Sequence, residues 1–108
     1  MIAMFDAVVE WGLEKGIITN GTCKAQYRKL LEEIEELGEA MFDTEDNYTT
    51  YDVENELGDC CVVLILLAEL YGTDLEKCLG LAYEKINKRN GKMINGQFVK
   101  EADLEEVS

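Results

Sequence analysis

With 108 residues, a formal net charge of −13 and no histidine, the chain is an acidic protein of single-domain size. The negative charge excludes broad binding to nucleic acid backbones or anionic membranes, and the missing histidine excludes imidazole-based acid–base catalysis and imidazole zinc sites. Apolar residues make up 47% of the chain and charged residues 31%, which is typical of a folded protein and excludes a disordered one.

The cysteines and the start of the chain predict a cytoplasmic location. Cys60 and Cys61 adjoin within an apolar run, and none of the four cysteines forms a C-x-x-C pair, so we interpret them as reduced core thiols. Reduced thiols are typical of the cytosol. The first residues carry an acid and no basic segment, unlike a signal peptide. The apolar run is also far shorter than the roughly twenty residues that a membrane span needs.

Helices are predicted for most of the chain, because it lacks proline and is rich in Leu, Glu, Lys, Met and Ala. Gly16 is placed to end the first helix, and Thr22 is a suitable N-cap for the second. Thr73 and Glu76 have the spacing of a capping box for the fourth helix. The four predicted helices cover about residues 2–15, 22–42, 51–71 and 73–90.

The remaining residues predict a short hairpin and a loose acidic tail. Asn95 and Gly96 lie between two short apolar segments, which is the pattern of a tight β-turn. The predicted fold class is therefore all-α, a four-helix domain with a short C-terminal hairpin. We expect residues 1–92 to form the helical domain and residues 93–108 to form the hairpin and tail of that same domain.

The second predicted helix carries acids on one flank of an apolar stripe. With one residue every 100°, Glu33 lies about 100° from Ile34, and Lys29 and Glu36 share its flank. Ile34 is taken as the centre of the inward face, because large apolar side chains lie within about 60° of it. These neighbours are Tyr27, Leu30, Leu31, Leu37 and Met41.

The third predicted helix has its inward face centred on Leu64, with Glu56 and Asp59 together on one flank. Apolar side chains continue that flank at Val63 and Leu66. After Asp59 the helix is apolar nearly all round, so it must be enclosed. A chain of this length can hardly enclose it alone, and we therefore expect a homodimer or homotetramer.

If the second and third helices pack antiparallel, Glu33, Glu36, Glu56 and Asp59 converge. Four carboxylates in one place repel one another, and hard oxygen donors favour Mg²⁺ or Mn²⁺ as the neutralising ion. The alternative is a solvated acidic face, with Lys29 and Glu33 forming an ordinary pair four residues apart. The apolar continuation of the third helix favours the metal site, because a merely solvated flank would stay polar.

Two motifs carry a family resemblance: E-E-x-x-E at Glu32, Glu33 and Glu36, and, about twenty residues later, E-x-x-D at Glu56 and Asp59. Together with the helical pattern, they resemble the MazG-like all-α nucleoside triphosphate pyrophosphohydrolases over about residues 5–92. The resemblance implies hydrolysis of a nucleoside triphosphate to the monophosphate and pyrophosphate. It also implies that the last four of these acids bind Mg²⁺, and that Glu32 either has an outer position or orients the attacking water.

The resemblance further implies that Lys85 and Arg89 contact phosphate. Four residues apart on one helix, they would share a face, and their charges suit a triphosphate. The alternative is a favourable placement of both cations at the negative end of a helix.

Further candidate contacts to the substrate lie on three of the predicted helices. Among them, Asn87 is expected to contact the base or the sugar. Trp11 can stack on a base, although its alternative role is in the core. The candidates are Trp11, Gln26, Lys29 and Asn87.

The first hypothesis is thus Mg²⁺-dependent hydrolysis of (deoxy)nucleoside triphosphates, in nucleotide-pool house-cleaning, with no nucleic acid or membrane partner. The alternative is a non-catalytic acidic helical adaptor, such as a phage-encoded inhibitor or DNA mimic. A DNA mimic needs acids spread over an outer surface, whereas these are predicted beside a core. A calcium module is excluded, because no loop has the D-x-[DN]-x-[DN]-G pattern.

Overall fold

A computed structural model describes residues 3–43 and 47–104, and it confirms a mostly helical chain that ends in a hairpin. The chain divides into two compact units, Met1–Glu76 and Lys77–Ser108. No helix among the described residues is both long enough and apolar enough to cross a membrane. The elements are α1 (Met4–Glu14), α2 (Ile17–Asn20), α3 (Cys23–Phe42), α4 (Thr50–Leu70), α5 (Leu75–Ile86), β1 (Gly91–Ile94), β2 (Gln97–Lys100) and a 3₁₀ turn (Glu101–Asp103).

The breaks between the first helices follow the predicted residues. Gly16 ends α1 with a φ of +76°, a left-handed conformation that glycine adopts without strain. Thr22 caps α3, because its hydroxyl oxygen accepts a hydrogen bond from the Ala25 N–H at 3.1 Å. The short helix α2 was not predicted. It is a single turn, in which the Gly21 N–H donates to the Ile17 carbonyl. A helix of one turn is too short to show an apolar period in the sequence.

A capping box that the sequence analysis missed begins α4. The Thr49 hydroxyl accepts from the Asp52 N–H at 3.3 Å, and the Asp52 carboxylate accepts from the Thr49 N–H at 2.7 Å. Two N–H groups at the start of the helix are thereby satisfied. The hydrogen bonds also hold the pKa of Asp52 below its usual value. The box fixes where α4 begins, and so it helps to set the positions of the α4 acids, Glu56 and Asp59, opposite α3.

The fourth predicted helix is shorter than expected, because α5 ends at Ile86 and not near Asn90. Strand pairing begins only a few residues later, where Gly91 lies opposite Lys100 and the Glu101 N–H donates to the Asn90 carbonyl at 2.7 Å. A Cβ on Gly91 would collide with the Val99 carbonyl, so only glycine fits there. The backbone must become extended before this point, which ends the helix.

The hairpin has the predicted turn. Asn95 and Gly96 both have positive φ, +51° and +81°, as a type I′ turn requires. Ile94 pairs with Gln97, and Met93 pairs with Phe98, in antiparallel register.

Helix α4 is the central element of the first unit, and it packs against α1, α2 and α3. Its buried side chains are Val63, Ile65, Leu66 and Ala68. Gly12 lets α1 approach closely, since a Cβ there would lie 2.5 Å from the Leu66 Cδ2. The prediction that α4 must be enclosed therefore holds over most of its circumference.

The predicted centres of the two inward faces were wrong. Ile34 and Leu64 are partly exposed, whereas Glu33 on α3 and Val63 on α4 are buried. One residue corresponds to a rotation of about 100°, so each helix is turned by roughly a quarter from its expected orientation. The flanks that carry the acids form the contact between α3 and α4, and the stripes of larger apolar residues lie beside it.

Candidate metal centre

Three of the four predicted metal ligands come together between α3 and α4. Each of Glu33, Glu56 and Asp59 offers a carboxylate oxygen, and these oxygens all lie within 4.8 Å of one another. Glu33 lies in the middle of α3, and the other two are three residues apart on α4, so they share a helix face. The spacing of the acids along two packed helices thus produces one cluster, whose role in binding metal remains a prediction.

Burial makes this cluster different from an ordinary acidic surface. Glu33 is only 6% exposed and Glu56 is half-buried, while Asp59 is open to solvent. The Oε2 atoms of Glu33 and Glu56 are both buried and have no hydrogen-bond partner among the described residues. A buried carboxylate oxygen without a partner is costly, and a cation bound at this cluster would supply the missing positive charge.

The fourth predicted ligand, Glu36, lies at the edge of the cluster. It is exposed, and its oxygens are not among those grouped within 4.8 Å. Its pKa is nevertheless raised, chiefly by the negative charge of Glu33, and it also interacts with Glu56. Partial burial, followed by the charges of Glu36, Asp59 and Glu33, raises the pKa of Glu56 as well. The four carboxyls therefore interact electrostatically as one group.

Lys29 is the cation that contacts this group. Its Nζ lies 3.2 Å from the Glu33 Oε1 and 3.5 Å from the Glu32 Oε2. The hydrogen bond to Glu33 is the main reason that the pKa of Lys29 is raised. Glu32 is exposed and pairs with Lys29, and it is not one of the three clustered acids. The contact of the Lys29 ammonium is with the Oε1 of Glu33, and the buried Oε2 has no hydrogen-bond partner within residues 3–43 and 47–104.

A cavity of about 450 Å³ opens directly beside the cluster. Trp11, at its rim, is nearly half exposed and so is not a core residue, which was its alternative role. Apolar side chains form one part of the wall, while Lys29 and two of the acids form another, as a ligand with a flat ring and a charged group requires. The lining residues are Trp11, Ile17, Ala25, Gln26, Lys29, Glu33, Asp59, Val62, Val63 and Leu66.

The sequence analysis missed part of the apolar wall. Ile17 lies in a segment assigned as a break between helices, where no period could reveal it. Val62 lies about 160° from Leu64 on the helical projection, far from the face that was taken as inward. Val63 and Leu66 were noticed as an apolar continuation of the acidic flank, which is the signal that could have located the cavity.

The remaining predicted contacts lie in the second compact unit. Lys85 is exposed in the last turn of α5, and Asn87 and Arg89 are exposed beyond its end. The expectation that Lys85 and Arg89 share one helix face was wrong, because α5 ends at Ile86. Lys85 lies in the last turn of α5, where its positive charge interacts favourably with the negative end of the helix dipole. This is the alternative role that the sequence analysis gave it. Contact of these residues with phosphate remains a prediction.

Comparison with known families agrees with the two motifs. A family model described as the MazG nucleotide pyrophosphohydrolase domain matches residues 22–94, well over half of the chain. The match begins at the N-cap of α3 and ends with β1, so it includes all the acids of the cluster. Searches of curated proteins and of solved structures gave no match. The chain therefore belongs to the MazG nucleotide pyrophosphohydrolase domain family.

Proposed function

We propose that the protein is a Mg²⁺-dependent pyrophosphohydrolase of nucleoside triphosphates or deoxynucleoside triphosphates. Water adds across the α–β phosphoanhydride bond, and the products are the monophosphate and pyrophosphate. The observation that carries this proposal is the cluster of the carboxylates of Glu33, Glu56 and Asp59, of which Glu33 is buried, in a chain of this family. Its cellular role is the control of nucleotide pools in the cytoplasm.

The residues present fit a magnesium ion. Glu33 and Glu56 each have a buried oxygen without a hydrogen-bond partner in the described part of the chain, and the donors are all carboxylates. Such hard donors suit Mg²⁺ or Mn²⁺ better than a metal that prefers sulfur or imidazole. Glu33, Glu56 and Asp59 would hold the ion, with Glu36 as a further ligand at the edge. When bound, the ion supplies positive charge to the triphosphate and lowers the pKa of the attacking water.

Lys29 has a second role in this proposal. It lines the cavity and contacts Glu33, so its ammonium lies between the cluster and the space for the substrate. With Glu33 engaged as a metal ligand, the Lys29 ammonium would be available to donate to a phosphate oxygen of the substrate. Glu32 is exposed and paired with Lys29, which supports an outer position for Glu32 over contact with the attacking water.

The nucleoside would occupy the apolar part of the same cavity. Trp11 offers an exposed ring on which a base can stack, and the Gln26 amide can both donate to and accept from a base edge. For Lys85 and Arg89 we propose contacts with the outer phosphates, and for Asn87 a contact with the sugar or base. These three assignments rest on the sequence pattern and on the charge of a triphosphate.

The decisive experiment is pyrophosphate release, measured with Mg²⁺ across the common ribo- and deoxyribonucleoside triphosphates. Asp59→Asn and Glu56→Gln should each lower kcat/KM by at least about a hundredfold, because each removes one metal ligand and its charge. Glu54→Gln is the matched control, an exposed acid on the same helix, and it should retain activity. Circular dichroism verifies that each variant is folded.

An adaptor or DNA mimic would release no pyrophosphate, and its metal-induced stabilisation would be small. Full activity in Asp59→Asn or Glu56→Gln would contradict the ligand assignment. The buried position of Glu33 already disfavours a DNA mimic, whose acids must face outward.

A further inference from the structure

A second cavity, of about 510 Å³, lies between α1 and α4. Met4, Phe5 and Val8 form its α1 side, and Val62 and Ile65 continue the apolar wall on α4. We call this cavity the α1–α4 groove. Its volume and its mostly apolar wall suit a small ligand with an apolar body.

The groove opens on the side of α4 that faces away from α3. On the helical projection its lining residue Gly58 lies about 160° from Glu56, which groups with Glu33 of α3. Asp59 lies between the two, about 100° from Gly58 and 60° from Glu56. It lines both the α1–α4 groove and the cavity beside the acid cluster. The two cavities therefore share one carboxylate of the cluster.

The polar groups of the groove favour a ligand that donates hydrogen bonds. Its charged lining residues are two acids, Glu54 and Asp59, and none of the described lining residues carries a positive charge. The Asn55 side chain donates from Nδ2 to the Tyr51 carbonyl at 2.9 Å, which leaves its Oδ1 atom as an acceptor for a ligand. A cationic donor would satisfy these acceptors and would also offset the negative charge of the two carboxylates.

We propose that the α1–α4 groove binds a small organic cation, one that carries a primary ammonium or an amidinium on an apolar body. The apolar body packs against Phe5, Val8 and Ile65. The cationic group donates to the Asp59 carboxylate and to the Asn55 Oδ1. The two acids would repel a triphosphate, so this groove takes a ligand of the opposite charge to the proposed substrate.

Occupation of the groove should weaken Mg²⁺ binding at the acid cluster. A cationic group on Asp59 engages a carboxylate that the metal also needs, and two positive charges so close together repel each other. The effect must be reciprocal, so Mg²⁺ also weakens binding of the organic cation. This coupling rests on the proposed metal site, whereas binding in the groove does not. The groove thereby makes the cluster sensitive to a molecule that is not its substrate.

Calorimetry on the full chain without metal tests the binding, with hexylammonium as the probe and hexanol as its neutral analogue. Hexanol should bind at least about tenfold more weakly, because it lacks the charge-assisted hydrogen bonds. Gly58→Leu fills the groove and should lower the affinity for hexylammonium by a similar factor. The helix can accept this side chain, since Gly58 is exposed and a Cβ there meets nothing within 4 Å. Gly80→Leu, at an equally open glycine on α5, is the matched control and should bind as the wild type does.

Thermal unfolding over a Mg²⁺ titration, with and without saturating hexylammonium, measures the coupling. The probe should raise the apparent dissociation constant for Mg²⁺ at least about fivefold in the wild type and in Gly80→Leu, and should leave it unchanged in Gly58→Leu. Neither experiment contains nucleotide, so neither depends on whether the protein releases pyrophosphate.

Equal affinities for hexylammonium and hexanol would overturn the proposed ligand class, and unchanged binding in Gly58→Leu would overturn the groove as the site. An unchanged Mg²⁺ titration in the presence of bound probe would overturn the coupling. Absence of any Mg²⁺ response without the probe would overturn the metal site and the coupling together, while the calorimetry still decides the groove. Circular dichroism verifies the fold, and Gly58→Met, with a more flexible side chain, replaces Gly58→Leu if that variant unfolds.

Discussion

The Nζ of Lys29 lies 3.2 Å from one carboxylate oxygen of Glu33, while the other oxygen of Glu33 is buried without a hydrogen-bond partner among the described residues. Each oxygen of a single carboxylate thus has a different environment. Lys29 contacts the first, and the carboxylate of Glu33 also has an oxygen within 4.8 Å of oxygens of Glu56 and Asp59. The lysine therefore supplies part of the positive charge that the cluster needs, and a metal ion would supply the rest.

The first prediction concerns this shared charge. In Lys29→Gln the metal-free protein loses the ammonium beside Glu33, so its melting temperature should fall. Added Mg²⁺ or Mn²⁺ should then raise the melting temperature by more than it does in the wild type, since the ion restores the missing charge. Thermal unfolding over a metal titration measures both effects.

Arg28→Gln is the control, because Arg28 is the neighbouring exposed cation on α3 and lies outside the cluster and the cavity. Its response to metal should equal that of the wild type. A smaller metal-induced shift in Lys29→Gln than in the wild type would contradict the competition between lysine and metal for Glu33.

The second prediction concerns pH. Partial burial, and then the surrounding carboxylates, raise the pKa of Glu56 above its usual value of 4.5, so the native state binds this proton more tightly than the unfolded chain. The stability due to this group is fully present below that usual value and is lost as pH rises through the native pKa. In Glu56→Gln the side chain at this position does not titrate, so the variant does not lose this stability as pH rises. Its melting temperature relative to wild type should therefore rise with pH above about 4.5 and then level off.

Thermal unfolding at a series of pH values in the absence of metal measures this difference. Glu54→Gln, at an exposed position on the same helix, should show no such rise. Saturating Mg²⁺ should reduce the advantage of Glu56→Gln, because the ion stabilises the ionised wild-type cluster. A difference between variant and wild type that stays constant across the pH range would contradict the raised pKa as its cause.

Local spacing was sufficient to place two of the acids on one helix face. Glu56 and Asp59 are three residues apart on one helix, so their common face follows from helix geometry alone. Glu33 joins them once the two helices pack antiparallel, which a short connection favours. The same reasoning failed for Arg89, because its position depends on where α5 ends. Pairing of Gly91 with Lys100 decides that end, and no helical period contains this information.

The orientation of α3 and α4 could not be obtained from the size of their apolar stripes. Placing Ile34 and Leu64 at the centre assumes that a chain buries its largest apolar stripe within itself. The contact instead passes through Ala40 and Val63, and the larger stripes remain half exposed. A stripe suited to a partner has the same sequence pattern as a core stripe, so the pattern alone cannot separate them.

The third prediction tests the close approach of α1 to α4. Gly12→Ala places a Cβ 2.5 Å from the Leu66 Cδ2 and 3.0 Å from the Ile18 Cδ1. Leu66 is buried among packed neighbours, so its side chain must shift within the core, and the variant should lose about 1–3 kcal/mol of unfolding free energy. Gly58→Ala, where a Cβ meets nothing within 4 Å, should instead gain ~1 kcal/mol from helix propensity. Urea unfolding of both variants checks the predicted opposite signs, and equal effects would contradict the packing argument.

The last prediction concerns the two ends of the nucleoside pocket. If Trp11 stacks on the base, Trp11→Ala should raise KM about ten- to a hundredfold, as expected for one lost stacking contact, with a smaller change in kcat. Gln26→Ala should narrow the differences in kcat/KM among nucleoside triphosphates that differ only in their base, because an amide that reads the base edge is removed. Steady-state pyrophosphate release measures both, with Leu13→Ala as the control for an exposed residue on α1 outside the cavity. An unchanged KM in Trp11→Ala would contradict stacking of the base on Trp11. The assignment of the metal ligands would not be affected by that result.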